Sequence, residues 1–189
     1  DLIVDIGSND GTLLSYFKRR NYRVLGVEPT DIGQLADQKG IQTVQVPFGE
    51  PVVKAIRTSW GQAKIVTAAN VFAHIPNVHE VTGAIRSLLA PGGVFISESH
   101  YLPSLLASCQ YDAIYHEHLR YYSLNSLKRL LEGHGLEIFY ARLIPTHGGS
   151  IRVYAAPTGE RTVRPDVGVL LDAEGSGTDL MFRLNRFAK

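Results

Sequence analysis

Residues 115–118 read Tyr-His-Glu-His and place four side chains that can hydrogen-bond or titrate next to one another. The pKa of an unperturbed histidine lies near neutral pH, so His116 or His118 could accept a proton from a substrate. Glu117 supplies a carboxylate that could orient such a base. This segment therefore indicates general acid–base chemistry.

A glycine loop near the start of the chain has the composition of a nucleotide site. Residues 1–6 form a mostly apolar run, typical of a buried parallel strand, and the run breaks into a glycine loop. Gly7 and Gly11 let the backbone approach a ligand, and the helix that follows offers unpaired N–H groups. Glu28, at the end of the second predicted strand, is placed to accept hydrogen bonds from ribose hydroxyls. A cofactor loop followed by a base is typical of a transferase or an oxidoreductase.

Asn9 distinguishes this loop from the dinucleotide fingerprint, which needs G-x-G-x-x-G. From Gly7 the chain reads Gly-Ser-Asn-Asp-Gly, so Asn9 stands at the second glycine position. That position normally allows close packing against a pyrophosphate. A nicotinamide-dependent oxidoreductase is therefore the disfavoured enzyme class.

Strands and helices alternate regularly over the first hundred residues, which predicts an α/β fold with a doubly wound, Rossmann-like and mostly parallel sheet. Two late runs, residues 136–143 and 150–156, predict an antiparallel hairpin at the sheet edge. Ser123 predicts the N-cap of a helix over residues 124–134. The strands predicted earlier in the chain cover residues 1–6, 22–27, 41–46, 64–69 and 94–98.

The last part of the chain follows a different pattern. From Pro157 the sequence is polar, and it then becomes weakly helical over residues 167–187, with a break at Gly175-Ser176-Gly177. We expect this tail to have no sheet partner. The chain also begins without Met, inside a predicted core strand, and we therefore expect a fragment of a longer protein.

Composition limits the class of protein. A chain of 189 residues suits one domain with a sizeable core, and 44% hydrophobic with 20% charged residues is ordinary for a folded domain. The formal charge is +1, and the densest basic run, residues 18–20, falls where the first helix should end, so nucleic-acid binding is not expected. No segment approaches the roughly 18 consecutive apolar residues of a membrane helix, and no signal peptide is recognised. We expect a soluble, cytoplasmic protein that has no membrane association.

The single cysteine, Cys109, excludes an internal disulfide and a cysteine-rich zinc site. We expect Cys109 to be a small buried apolar residue. His116, His118 and His100 could in principle share a metal, but two of them are only two residues apart and spacing fixes no third ligand. We therefore expect no metal site.

Three features of the cofactor half resemble the S-adenosylmethionine-dependent methyltransferases. They are Asp5-x-Gly7-x-x-x-Gly11, the downstream Glu28, and the turn Leu89-Ala90-Pro91-Gly92-Gly93 before the fifth predicted strand. The resemblance implies that S-adenosyl-L-methionine is the cofactor. The residues that it assigns to cofactor binding are Asp5, Gly7, Asn9, Gly11, Glu28 and Asn70.

Three further segments resemble the sugar C-methyltransferases and occur in the same order. They are Asn70-Val71-Phe72-Ala73-His74-Ile75-Pro76, residues 115–123, and His147-Gly148-Gly149-Ser150-Ile151-Arg152-Val153. The resemblance implies methyl transfer to carbon 3 of a nucleotide-linked 4-keto-deoxysugar, which would be the substrate partner. It also implies a methyltransferase core over residues 1–156 and a linker over residues 157–189 that leads to a C-terminal domain absent from this chain. The family's N-terminal cysteine-rich zinc domain is absent as well.

The same resemblance implies catalytic roles. His118 would be the general base, Glu117 would orient or polarise it, and Tyr115 would hydrogen-bond the substrate or its enolate oxygen. His74 would assist near the reacting carbon. In an extended segment, however, Tyr115 would share a face with Glu117 and not with His118. The catalytic groups can meet only if the segment turns.

Other interpretations stay open at this point. His116, His79, His100 and His134 are expected to be structural or surface residues, and His147-Gly148-Gly149 to be a tight turn that also borders the substrate. A methyltransferase acting on oxygen or nitrogen of another small molecule would have the same cofactor half without needing a carbon-acid base. A fragment that binds cofactor and lacks activity is the non-catalytic alternative.

Overall fold

Seven strands and eight α-helices make up the part of the chain that the computed structural model describes, residues 1–188. The strands are β1 (Leu2–Ile6), β2 (Arg23–Val27), β3 (Thr43–Val44), β4 (Ala63–Ala69), β5 (Leu89–His100), β6 (Leu136–Ile144) and β7 (Ser150–Pro157). The helices are α1 (Thr12–Lys18), α2 (Gly33–Gln38), α3 (Glu50–Ser59), α4 (Val78–Leu88), α5 (Leu102–Ala107), α6 (Leu124–Glu132), α7 (Pro165–Glu174) and α8 (Gly177–Phe187).

All seven strands form one sheet in the order β3-β2-β1-β4-β5-β7-β6. Strands β1 to β5 pair in parallel, whereas β7 runs antiparallel to both β5 and β6. The predicted doubly wound, mostly parallel sheet with a late antiparallel hairpin is therefore confirmed. The strand order reverses between β1 and β4, and open α/β sheets bind ligands beyond the carboxyl ends of their strands at such a point.

Strand β1 is apolar along most of its length because helices cover both of its faces. All five of its residues are buried. Leu2, Val4 and Ile6 contribute to the larger core, and Ile3 packs into a smaller core with Leu14 of α1. Alternate residues of one strand thus join two helical layers to the sheet, which fixes the position of the loop that follows β1.

Helix α6 begins where its sequence predicts. The Ser123 side chain accepts a hydrogen bond from the Ser126 main-chain N–H at 3.2 Å, and the Ser126 hydroxyl accepts one from the Ser123 N–H at 2.9 Å. This reciprocal capping box satisfies two N–H groups that the first turn of a helix leaves free. Ser123 is therefore confirmed as the N-cap residue.

Strand β3 is shorter than the sequence predicts. A strand was expected over residues 41–46, but only Thr43 and Val44 pair with β2, opposite Gly26 and Val27. Val46 and Pro47, which follow after Gln45, lie outside the sheet and line a cavity. Pro47 cannot donate a ladder hydrogen bond, so the edge strand ends before it.

The tail from Pro157 folds back onto the domain. Two helices, α7 and α8, occupy the region predicted to be weakly helical, with the predicted break between them. Val167 is buried in the larger core, and Leu184 and Phe187 pack near Leu105 of α5. The buried Glu174 carboxylate accepts hydrogen bonds from the N–H groups of Leu124 and Asn125, so α7 also caps the start of α6.

Two smaller expectations can be compared with this structure. Within residues 1–188, no helix is both long enough and apolar enough to span a membrane.

Cys109 was expected to be buried, and this is wrong, because its side chain is exposed. The residue has a φ of 51° in the turn after α5, so turn geometry rather than core packing determines where it lies.

Candidate active site

The loop after β1 approaches its neighbours so closely that two of its positions require glycine. Gly7 has a φ of 68°, and a Cβ built there would lie 2.5 Å from Cγ2 of Val71. Gly11 has a φ of 75°, and its Cβ would lie 2.9 Å from Cβ of Ala36. Both residues need the left-handed conformation that glycine adopts without a steric penalty. The loop is therefore held at a defined position at the end of β1.

Glu28 lies directly behind this loop at the end of β2. Its carboxylate accepts hydrogen bonds from the main-chain N–H groups of Asn9 and Thr30, each at 3.0 Å, and from the Thr30 hydroxyl at 2.7 Å. Asn9 has a φ of 52°, which turns its N–H towards the carboxylate. Each carboxylate oxygen can accept more than one hydrogen bond, so Glu28 can brace the loop and still accept from a ribose hydroxyl.

A cavity of about 690 Å³ opens beside Gly7. Its walls include Val27 and Pro29, the two neighbours of Glu28, and mostly apolar side chains such as Phe48 and Val52. The volume lies within the range of roughly 300–1,000 Å³ that is usual for small-ligand sites. Apolar walls suit the base of a nucleoside, and the adjacent carboxylate suits its ribose. These residues fit S-adenosylmethionine, the cofactor that the sequence predicts.

Asp5 contributes to this region from inside the sheet. Its side chain is only 4% exposed, and it accepts a 2.6 Å hydrogen bond from the Thr67 hydroxyl on β4. Burial raises the pKa of Asp5 to about 7, against the lowering effect of the Thr67 hydrogen bond and with a further increase from the charge of Glu28. Asp5, which was expected to bind the cofactor, is instead buried beneath the glycine loop and supports the end of β1, and it is not among the residues that line the cavity beside Gly7.

The buried Asp5 predicts a particular dependence of stability on pH. Its folded pKa of about 7 exceeds the unfolded value of 3.8, so the folded state retains a proton that the unfolded state has released between those pH values. The free energy of unfolding should therefore fall as pH rises through this window and stay lower above it. Asp5→Asn removes the charge and keeps an acceptor for Thr67. We expect the variant to be more stable than the wild-type chain at about pH 8, by about 2–4 kcal/mol.

Urea denaturation at about pH 4 and about pH 8 measures this difference. The two chains should differ much less at the lower pH, because the carboxyl group is protonated in the folded state there and about half protonated in the unfolded state. Parallel stability profiles for the two chains across the whole range would show that Asp5 ionises normally.

A second cavity, of about 220 Å³, lies at the carboxyl ends of β4 and β5. We call it the histidine cavity, because four histidines line it. Its lining residues are Asn70, Ala73, His74, Ser99, His100, Tyr115, His118 and His147. His74 also lines the larger cavity beside Gly7, so the two cavities share this residue.

The hydrogen bonds of His118 fix which of its nitrogens can act as a base. Nδ1 lies 2.9 Å from the carbonyl oxygen of Ala113 and must donate to it, because a carbonyl oxygen only accepts. In the neutral ring, Nε2 is then the nitrogen with a free lone pair. The Tyr115 hydroxyl lies 3.1 Å from Nε2 and donates to it. His118 is thus held in the tautomer that directs a basic nitrogen towards Tyr115.

A turn brings Tyr115 and His118 together. The His118 N–H donates to the Tyr115 carbonyl oxygen at 3.0 Å, and the two rings lie with centroids 4.2 Å apart. The alternation expected of an extended segment does not apply here. Tyr115 and His118 therefore point to the same cavity, as the implied mechanism requires.

The Glu117 side chain was expected to orient His118, but in this structure it lies elsewhere. Its side chain is 62% exposed, and its carboxylate is 4.0 Å from Nε2 of His116, which is itself 90% exposed. In this structure the orienting contact to His118 comes from the Ala113 carbonyl. Glu117 contributes through its main chain, because its carbonyl oxygen lies 3.0 Å from Nδ1 of His74 and accepts a hydrogen bond from it.

His74 and Asn70 reach the same cavity from the segment after β4. The His74 ring centroid lies 5.0 Å from that of His118. Its Nδ1 donates to the Glu117 carbonyl, so Nε2 of the neutral ring keeps its lone pair. Asn70 has a φ of 57° and lines the histidine cavity rather than the cavity beside Gly7.

His100 is a cavity residue that sequence analysis treated as structural, and His147 was expected only to border the substrate. His100 ends β5, and its ring centroid lies 5.3 Å from that of His118 and 5.4 Å from that of His147. The position of His100 at the carboxyl end of a parallel strand was a usable signal, because such ends meet at the ligand-binding edge. Among residues 1–188, no group of three or more His, Cys, Asp or Glu side chains is arranged to hold a metal ion.

Comparison with known proteins agrees with this geometry. A family described as "Methyltransferase domain" matches residues 2–141, well over half of the chain. The C-methyltransferase NovU of Streptomyces niveus is 42% identical over 178 residues, which cover 93% of this chain and 42% of that protein. A ubiquinone biosynthesis O-methyltransferase of Acinetobacter baumannii is 32% identical over 101 residues, 50% of this chain and 42% of that protein. The chain therefore spans less than half the length of these curated relatives.

Solved structures share the fold. An S-adenosylmethionine-dependent methyltransferase from Clostridium acetobutylicum matches with a TM-score of 0.65 at 12% identity, over 84% of this chain and 85% of that one. Magnesium protoporphyrin IX methyltransferase from Synechocystis, solved with bound S-adenosylmethionine, matches with a TM-score of 0.60 at 14% identity, over 83% and 70%. Strand order and family match lead to one conclusion: this chain belongs to the methyltransferase domain family, and its larger cavity fits the S-adenosyl-L-methionine that the sequence resemblance implies.

Proposed function

We propose that this chain is the catalytic core of a sugar C-methyltransferase, which transfers a methyl group to carbon 3 of a nucleotide-linked 4-keto-deoxysugar. One observation carries the proposal. The hydrogen bond of His118 to Ala113 leaves its Nε2 as the basic nitrogen, and His118 lines a cavity that shares His74 with the cofactor cavity. Methylation of oxygen or nitrogen does not require a base strong and well placed enough to remove a proton from carbon. The similarity to a C-methyltransferase supports the same conclusion.

The chemistry of the substrate explains the residues of the histidine cavity. A carbon next to a ketone is weakly acidic, so the enzyme must remove its proton and stabilise the enolate that results. His118 takes that proton on Nε2, and the Tyr115 hydroxyl is then free to donate a hydrogen bond to the enolate oxygen. The bound cofactor supplies an electrophilic methyl group. Positioning of the enolate carbon in line with that group accounts for much of the rate.

His74 lines both the cofactor cavity and the histidine cavity, and we therefore propose that it lies between the two reacting partners. Because Nδ1 is held by the Glu117 carbonyl, the ring is fixed at the shared wall of the two cavities. From there it can hydrogen-bond the substrate and exclude water from the path between the enolate carbon and the methyl donor. Glu117 acts in this arrangement through its main-chain carbonyl.

The test is to identify the product. Full-length protein is incubated with S-adenosylmethionine and a nucleotide-linked 4-keto-deoxysugar, and the product is analysed by mass spectrometry and carbon-13 NMR. The proposal expects one added methyl group, attached to carbon 3. The related O-methyltransferases supply the competing outcome, because a methyl signal at the chemical shift of a methoxy group would assign the chain to oxygen methylation.

The same experiment with the 189-residue chain alone examines the domain proposal. We propose that residues 1–156 form the methyltransferase core and that residues 157–189 connect it to a further domain that helps to bind the substrate. This proposal expects that the 189-residue chain alone binds the cofactor but does not turn over the substrate, whereas the full-length protein does. Equal turnover by both would place all substrate contacts within these residues.

A further inference from the structure

The histidine cavity contains more titratable groups than the proposed reaction needs. His118 removes the proton and His74 lies at the wall shared with the cofactor cavity, but His100 and His147 have no role in that step. The His100 ring lies next to that of His118, with centroids 5.3 Å apart, and the His147 ring lies next to that of His100, with centroids 5.4 Å apart. The three rings therefore form a continuous row.

The row ends at the protein surface. His118 and His100 are half-buried, whereas His147 is exposed in the turn between β6 and β7. A base that has taken a proton from carbon must lose it before the next turnover. A proton passed to His74 would remain between two bound ligands. The row through His100 instead leads to the exposed His147.

Hydrogen bonds hold the residues on both sides of His147. His147 has a φ of 51°, a conformation that costs free energy for a residue other than glycine. The Gln110 side chain donates a 2.8 Å hydrogen bond to the carbonyl oxygen of Gly148, and the Thr146 hydroxyl donates one to Glu98 at 3.2 Å. Glu98 in turn accepts two hydrogen bonds from the Arg152 guanidinium, at 2.7 and 3.0 Å. These contacts fix the turn that carries His147.

We propose that His100 and His147 form a relay that carries the proton taken by His118 to solvent. This inference rests on the proposed carbon methylation. The C–H bond at carbon 3 breaks and its proton goes to Nε2 of His118. His100 accepts a proton on one ring nitrogen and releases one from the other to His147, directly or through a water molecule, and His147 releases it to bulk water. His118 returns to its neutral form, so each turnover delivers one proton to solvent.

The protonation state of His100 suits this role. Burial lowers the pKa of His100, and the neighbouring His118 and His147 lower it further, against the raising effects of Asp112 and of a hydrogen bond to the His147 main chain. A neutral imidazole has one nitrogen that accepts and one that donates, which is the form that can pass a proton on.

The relay predicts that variants of His100 and His147 affect the first turnover and later turnovers differently. In His100→Asn and His147→Asn, the first methyl transfer should proceed at close to the wild-type rate, because His118 can still take one proton. Steady-state turnover should fall by roughly 10- to 100-fold, since His118 then loses its proton slowly. Added imidazole should restore much of the steady-state rate. His116→Asn, an exposed histidine two residues from His118, should leave both rates unchanged.

Rapid-quench measurements on full-length protein, with enzyme in excess and then with substrate in excess, give the two rates. A burst of one product per active site, followed by slow turnover, supports the relay. A first turnover that falls as much as the steady state, or two rates that both stay at the wild-type level, overturns it. His100→Gln serves as a second variant if His100→Asn does not fold. Failure of the wild-type protein to methylate carbon would overturn the proposed function and the relay together, whereas normal wild-type activity with unaffected variants would overturn the relay alone.

Discussion

His118→Asn is expected to lower kcat for carbon methylation by about 10²- to 10⁴-fold, the usual contribution of a positioned general base. The Asn side chain can still donate a hydrogen bond to the Ala113 carbonyl, so the loop should keep its conformation. What the variant loses is the basic nitrogen beside Tyr115. The rate of methyl transfer to the keto-sugar, measured under saturating substrate, gives the effect.

Two measurements separate this effect from general damage to the protein. Calorimetric titration with S-adenosylhomocysteine should give the same affinity for the variant and the wild-type chain, because the cofactor cavity is unchanged. His116→Asn should be fully active, since that side chain points into solvent. If His118→Asn retains kcat within a few-fold of wild type, His118 is not the base.

Gly7→Ala is expected to weaken binding of S-adenosylhomocysteine by more than about tenfold. An alanine at this left-handed position costs roughly 1–2 kcal/mol. Its Cβ would also lie 2.5 Å from Val71, and one of the two must move. Because Gly7 lines the cofactor cavity, the movement changes the surface that the cofactor contacts. Calorimetric titration measures the affinity, and urea denaturation measures the loss of stability.

Gly61→Ala is the matched control. Gly61 has a similar φ of 86°, but a Cβ there meets no atom within 4 Å. The variant should lose stability from the backbone conformation alone and keep its cofactor affinity. Equal losses of affinity in the two variants would mean that backbone strain, and not contact at the cofactor cavity, determines the effect at Gly7.

Local sequence signals predicted those parts of the fold that local physics determines. The apolar run of β1, the glycine positions after it and the cap at Ser123 each depend on residues close in sequence, and all three lie where they were expected. The edge strand β3 was predicted too long because its alternating pattern continues to Val46, whereas the pairing with β2 ends at Val44.

The histidine cavity depends on contacts between distant segments, which a single sequence does not report. His74, His100, His118 and His147 come from four separate loops or strand ends. The order of strands decides that these loops meet, and a sequence of helices and strands leaves that order open. The turn at residues 115–118 and the outward position of Glu117 are likewise consequences of packing. The type of base was predictable, whereas the partner that orients it was not.

Exchange of the hydrogen at carbon 3 tests the central claim most directly. A nucleotide-linked 4-keto-deoxysugar is incubated with the full-length protein and S-adenosylhomocysteine in deuterium oxide, and the signal of that hydrogen is followed by NMR. The account predicts that the wild-type protein replaces it with deuterium far faster than the solvent does, and that His118→Asn does not. A wild-type protein that methylates this substrate without accelerating the exchange, and places the methyl group on oxygen, would contradict the account.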